Sequence, residues 1–263
     1  METLELKMAQ LKFNDMKIFF SKLVVCVSLG CMMGASYAGV VISGTRIIYP
    51  AQAREVSVKL ENKNTTPSLV QSWVDTGNED EPPEKSTAPF FLNPPLVRIE
   101  PLQGQAIRLI YNGKSEIKDR ESVFWFNMLE IPPEPEGDVA NNPYLQIAVR
   151  TRIKIFFRPQ GLSGSAESAP RALVWRVKPG ADGNFDLECE NPTLFHVSFS
   201  KIQVKQGEQV FDKKDDSLMV APMSKLVVRM VDLKTMPDSS AEVHFGFISD
   251  HGAYINLTKN IEP

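Results

Sequence analysis

Tyr144 to Pro159 reads YLQIAVRTRIKIFFRP. Its odd positions, Leu145, Ile147, Val149, Ile153, Ile155 and Phe157, are apolar and interrupted only by Thr151. Its even positions carry Gln146, Arg150, Arg152, Lys154 and Arg158. Strict alternation is the signature of a β-strand with one apolar and one basic face. At about 3.3 Å per residue the run would span roughly 50 Å, longer than ordinary strands. The stretch therefore predicts one continuous strand that outruns its own core and leaves part of its apolar edge for another chain. On pattern alone, a strand that simply faces its own core remains the alternative.

Working outward, the rest of the chain repeats this alternation in shorter pieces. Val40 to Ile48 predicts a first strand. EVSVKL (Glu55 to Leu60), LVQSWV (Leu69 to Val74), Leu96 to Ile99, Gln105 to Tyr111 and VFWFNMLE (Val123 to Glu130) predict the next ones. Asp75 to Pro89 and Glu134 to Pro143 are polar and proline-bearing, hence loops. A second set starts near Ala172 with ALVWRV and continues through NFDLECE, LFHVSFSKIQV, EQVF, KLVVRMV, EVHFGFI and AYINLT. Many short strands at regular spacing predict an all-β protein of two immunoglobulin-like β-sandwiches with a cleft between them. The boundary falls near Pro159, giving domains 39–159 and 160–263. Gly161 to Pro170, rich in Ser, Gly and Ala, reads as flexible. Trp73, Trp125 and Trp175 read as core or near-core aromatics.

The beginning of the chain has a different character. From Met16 it reads MKIFFSKLVVCVSLGCMMGASYA, with Lys17 and Lys22, an apolar middle from Leu23 to Met33, and Ser36-Tyr37-Ala38 at its end. This predicts an export signal cleaved after Ala38, with the start at Met16 and residues 1–38 absent from the mature protein. Its apolar run is too short to span a bilayer, so no membrane span is expected. Removal takes Cys26 and Cys31 away and leaves Cys189 alone, so no internal disulfide can form and packing must supply stability.

Several function classes lose support. The formal net charge of −3 gives no bulk attraction to nucleic acid. His196, His244 and His251 lack metal-ligand spacing. Gly161-Leu162-Ser163-Gly164-Ser165 lacks the spacing of a nucleophile elbow, and no phosphate-cradling glycine loop is present. An enzyme, a cofactor or a metal is therefore not expected.

Three stretches together resemble the PapD family of periplasmic pilus-assembly chaperones: DRESVFWFNMLEIPP (Asp119 to Pro133), the strand quoted above, and ENPTLF (Glu190 to Phe195). Just upstream of the first, Glu116 and Ile117 stand where the family pattern has a hydrophobic residue and a proline. The resemblance covers nearly all of Gly39 to Asn260. It implies an ATP-independent chaperone that caps fimbrial subunits by lending them a strand and passes them to an outer-membrane usher. Leu145, Ile147 and Val149 would fill the subunit's groove, each contributing roughly 1.5–3 kcal/mol before ordering costs. Arg46, in SGTR, and Lys154 would hold the subunit's C-terminal carboxylate. Glu121, Arg158 and Asp250 would form ion pairs between the domains. Strict alternation puts Lys154 and Ile147 on opposite faces, a conflict that a bulge or twist would remove. The short loop Glu134 to Pro143 and the absence of a cysteine pair resemble the short-loop class. The sequence leaves open a secreted structural β-sandwich, a pilin or adhesin component, and whether the free protein self-associates.

Overall fold

A computed structural model describes residues 39–113, 117–134, 144–215 and 218–262. Residues 1–38, for which the sequence predicts an export signal and which include Cys26 and Cys31, lie outside the described residues, as do Glu116 and the loop 135–143. The chain is nearly all β, as the alternation predicts.

The first half contributes β1 (Val40–Ile42), β2 (Arg46–Pro50), β3 (Val56–Asn62), β4 (Ser68–Asp75), β5 (Phe90–Asn93), β6 (Leu96–Ile99), β7 (Gly104–Tyr111), β8 (Ser122–Ile131) and β9 (Val149–Arg158). One sheet has the order β1-β3-β7-β5 and the other β2-β9-β8-β4-β6. The predicted strand Val40 to Ile48 is thus two strands in different sheets. Gly44, with φ +116°, turns the corner between them in a conformation that side chains disfavour. β1 pairs antiparallel with β3, whereas β2 runs parallel to β9. Beneath the sheets, Tyr49 stacks 5.9 Å from Phe157 and meets Phe90 edge-on at 5.4 Å. Its buried hydroxyl accepts from Tyr111 N at 3.0 Å and donates to Ala53 O at 3.1 Å. The buried Glu130 ties the two sheets together: it accepts from Val40 N at 2.7 Å, Ser68 Oγ at 2.9 Å and Asn64 Nδ2 at 3.0 Å.

The second half contributes β10 (Val174–Pro179), β11 (Phe185–Asn191), β12 (Val197–Gln206), β13 (Gln209–Asp212), β14 (Met219–Val220), β15 (Ser224–Val228), β16 (Glu242–Ile248) and β17 (Tyr254–Asn260). β10-β11-β15 form one sheet and β13-β12-β16-β17, with β14 beside β12, the other. Trp175, Leu187, Phe199 and Phe245 fill the core between them. Cys189 lies in that core, where burial pushes its thiol pKa up and keeps it unreactive. The two sandwiches share one device. Asn62, ending β3, and Asn191, ending β11, are buried and donate to the carbonyls of the following turn, Asn62 to Thr66 O at 2.9 Å and Asn191 to Phe195 O at 2.8 Å. The ENPTLF stretch is the second of these turns.

Gly161 to Pro170 is not a loose tether. Ser165 and Ser168 exchange hydrogen bonds of 3.2 and 3.1 Å between hydroxyl and backbone N–H. Leu162 and Ala166 pack on the second core, and Ala169 is buried at the start of a helical turn, Ala169–Ala172. Small residues allow this close packing, which composition alone misread as freedom.

Candidate functional site

The odd-numbered row of the decisive stretch changes its environment along its length. Ile155 (0% exposed) and Phe157 (3%) sit in the chain's own core, whereas Leu145 (84%), Ile147 (61%) and Val149 (53%) face solvent. The stretch is also not one strand. β9 begins at Val149, because the pairing with β8 ends at Glu130↔Val149 and nothing among the described residues offers 144–148 a partner. Gln146 alone reaches back, donating from Nε2 to Pro132 O at 2.8 Å. A strand needs a neighbour to satisfy its backbone, so the lone extension has the composition of a strand without its hydrogen bonds. No bulge occurs from Val149 to Phe157, where the register with β8 is unbroken. Ile147 lies outside the regular strand, so alternation does not fix its face relative to Lys154.

One edge of β9 is open. β8 covers one side from Val149 to Phe157, but β2 covers the other only from Lys154 to Arg158. From Val149 to Ile153 the backbone on that side is unpaired among the described residues. The open edge stops where Arg46 and Lys154 face each other as Cα partners.

Among the described residues these two cations are held without a carboxylate between them. Arg46 donates from Nη1 to Ile248 O at 2.9 Å, and its guanidinium carbon lies 5.5 Å from the centre of the Phe156 ring. Its buried Nε has no partner among the described residues. Burial lowers its pKa, partly offset by Asp250 and Glu121. Lys154 has no hydrogen-bonding or ion-pair partner among the described residues. Burial first, then the charges of Arg46 and Arg152, lowers its pKa from the ordinary lysine value. Both groups are poised to gain from an incoming anion.

Glu121, Arg158 and Asp250 do come together. Arg158 donates to Glu121 Oε2 at 2.9 Å from Nε and 2.7 Å from Nη2, and to Asp250 Oδ2 at 2.7 Å from Nη1. Burial pulls the guanidinium pKa down, but these carboxylates outweigh it and hold it above its ordinary value. His196 completes the set: its backbone N–H and Nδ1 each lie 2.9 Å from Glu121 Oε1. Thr45 and the turn at Gly252 approach so closely that a Cβ on Gly252 would lie 2.8 Å from Thr45 Oγ1, and φ +80° also favours glycine there.

The basic face of β9 carries a second network. Arg152 grips the buried Asp75 with both arms, Nη2 to Oδ1 at 2.6 Å and Nε to Oδ2 at 3.0 Å. Asn127 donates to Asp75 Oδ2 at 2.7 Å and accepts from Arg150 Nη2 at 2.7 Å. The guanidinium of Arg150 lies 4.9 Å from the centre of Trp73 and that of Arg152 4.7 Å from the centre of Trp125. Trp175 and Trp73 are buried in the core and Trp125 is partly buried, as expected, and Trp73 and Trp125 also form floors beneath the two arginines. Burial raises the pKa of Asp75, but its bonds to Arg152, Asn127 and the Gly77 N–H outweigh this and hold it below the carboxylate range.

Sequence reasoning missed His196, Asp75 and Asn127. Only strand register connects them to their partners, and no local pattern announces it. Among the described residues no group of three His, Cys, Asp or Glu side chains could hold a metal ion, and no helix is long and apolar enough to cross a membrane.

Residues 39–163 match the family model for the pili and flagellar-assembly chaperone PapD N-terminal domain, and residues 168–259 that for the pili assembly chaperone PapD C-terminal domain. The probable fimbrial chaperone YadV of Escherichia coli (strain K12) is 44% identical over 234 residues, covering 88% of this chain and 92% of the relative. The crystal structure of the YadV chaperone superposes with a TM-score of 0.73 at 40% identity, covering 85% of this chain and 100% of that one. The Salmonella enterica SafB chaperone, solved in complex with the SafA pilin, gives 0.68 at 26% identity over 87% of this chain and 99% of that one. With both sandwiches matched and nearly the full length of a close relative spanned, the chain belongs to the PapD family of pilus-assembly chaperones.

Proposed function

We propose that this chaperone works in the periplasm, reached through a leader cleaved after Ala38, by lending residues 145–153 as a strand to fimbrial subunits. The observation that carries this reading is the open edge of β9, which ends at the Arg46–Lys154 pair. The subunit's backbone pairs with that edge, a known mode of strand addition. Leu145, Ile147 and Val149 enter its groove. Its terminal carboxylate docks between the two cations and relieves their repulsion, each charge-assisted bond contributing roughly 1.5–3 kcal/mol.

The remaining parts support this action. Domains 39–159 and 160–263 meet beside Pro159, and Glu121, Arg158, Asp250 and His196 hold them at a fixed angle so that Arg46 and Lys154 stay together. The capped subunit is then handed to an outer-membrane usher. No step makes or breaks a covalent bond, and none requires a cofactor. The pilin complex of the Salmonella relative supports subunits as the partner class.

Co-purification from periplasm tests the reading. The wild-type chaperone is expected to recover fimbrial subunits, identified by mass spectrometry. Lys154→Ala and Arg46→Ala, folded by circular dichroism, are expected to recover none. Subunit recovery by both variants would remove the anchor.

A further inference from the structure

Alternation alone leaves a gap in the specification of register. A one-residue slip reverses which side chains enter the groove, so it is excluded by burial. A two-residue slip keeps the apolar row facing inward and moves the partner by only roughly 6.6 Å. It would bring the carboxylate to Arg152, another cation on the same face of β9. Something other than alternation must forbid that position.

We infer that Asp75 is a positioning residue that silences Arg152 and so confines the partner's carboxylate to the Arg46–Lys154 pair. The inference rests on the carboxylate-anchor reading above and deepens it. Four cations line this face of β9, and they differ in what already neutralises them. Arg158 is engaged by Glu121 and Asp250. Arg152 is held by both oxygens of Asp75, which is fully buried, and stacks on Trp125. Arg150 lies 3.7 Å from Asp75, bonds Asn127 and stacks on Trp73. Lys154 alone has no anion and no acceptor among the described residues. Asn127 bridges Asp75 and Arg150, so one carboxylate serves both arginines. The open edge of β9 thus presents a single unsatisfied charge centre at its closed end, although three basic side chains follow one another at spacing two.

The test uses a synthetic peptide of alternating valine and threonine with a free C-terminal carboxylate and a photo-reactive group beside it, together with its C-terminal amide. Crosslinks to the full mature chaperone are mapped by mass spectrometry. In the wild type, carboxylate-dependent crosslinks are expected at one position beside Lys154. In Asp75→Asn, which keeps the side-chain shape and removes the charge, a second set displaced by two residues toward Arg152 is expected. Asp75→Asn combined with Arg152→Gln is expected to return to one position, a rescue that a merely structural role for Asp75 would not give. A single unchanged register in Asp75→Asn, with carboxylate dependence intact, overturns the inference and spares the anchor. Identical crosslinking by acid and amide in the wild type overturns both. Should Asp75→Asn fail to fold, single variants decide: Arg152→Gln is expected to weaken the acid peptide less than about 2-fold and Lys154→Gln more than about 10-fold. Equal losses would show that Arg152 already shares the carboxylate and would overturn the inference.

Discussion

Arg46 and Lys154 stand opposite each other across the parallel β2–β9 pair, two cations whose compensation is unequal. Arg46 has a backbone carbonyl and an aromatic face, whereas the Lys154 side chain has neither among the described residues. Their proximity is imposed by the register of the two strands and by the carbonyl of Ile248 from the second sandwich. The pair is therefore a property of both domains, although its members lie in the first.

This asymmetry fixes a pH dependence. Burial, then Arg46 and Arg152, holds the Lys154 pKa below 10.5 in the free protein. A bound carboxylate favours the charged form, so affinity is constant well below that lowered pKa and falls as pH rises through it. The linkage to folding has the opposite sign: between the lowered pKa and the ordinary value the unfolded chain holds the proton, and stability rises with pH. Titration of a carboxylate-terminated subunit between pH ~7 and ~10 is expected to show the fall in affinity, and Lys154→Arg to remove it, because guanidinium stays charged. An alkaline fall that survives in Lys154→Arg would assign the titration elsewhere.

Replacing Ile147 by Asp is expected to leave the free chaperone as stable as the wild type, since the side chain is 61% exposed. Subunit capture is expected to drop at least about 30-fold, because the change removes an apolar contact worth roughly 1.5–3 kcal/mol and would bury a charge. Undiminished capture in a pull-down titration would show that this segment does not enter the groove.

At the domain junction, Arg158→Ala leaves Glu121 and Asp250 without their shared cation. A loss of about 2–4 kcal/mol in urea unfolding is expected, together with a larger radius of gyration in small-angle scattering. Arg158→Lys is expected to recover only part of this, because an ammonium cannot reproduce the bidentate fork. Unchanged scattering and unfolding in the alanine variant would reduce the network to ordinary surface pairing.

Glu130→Ala removes one carboxylate from three donors, Val40 N, Ser68 Oγ and Asn64 Nδ2. Leaving them unpaired is expected to lower the unfolding free energy by roughly 2–4 kcal/mol without touching the open edge of β9. A variant that loses subunit capture while keeping full stability would show that Glu130 acts on the binding edge instead.

Much of this was legible in the chain, and what was not has a physical reason. Alternation located the strands and the exposed apolar row, because period two is a local property. It overextended β9 to Tyr144, since side-chain pattern persists where backbone partners end. It merged β1 and β2, because Val40 to Ile48 is apolar on both sides of a corner that only Gly44 betrays. It passed over β5, a short run between prolines. The interiors of the two networks were hidden by distance along the chain: Arg152 is 77 positions from Asp75, and His196 is 75 from Glu121. No periodicity pairs residues so far apart; only the register of folded strands does.

The lending of a strand is tested most directly by amide hydrogen exchange across residues 145–153, measured in the free chaperone and in its complex with a subunit. Capture is expected to slow exchange there by at least about 100-fold, equivalent to roughly 3 kcal/mol of opening free energy. Exchange in that segment as fast in the complex as in the free protein, with the subunit stably bound, would contradict the account.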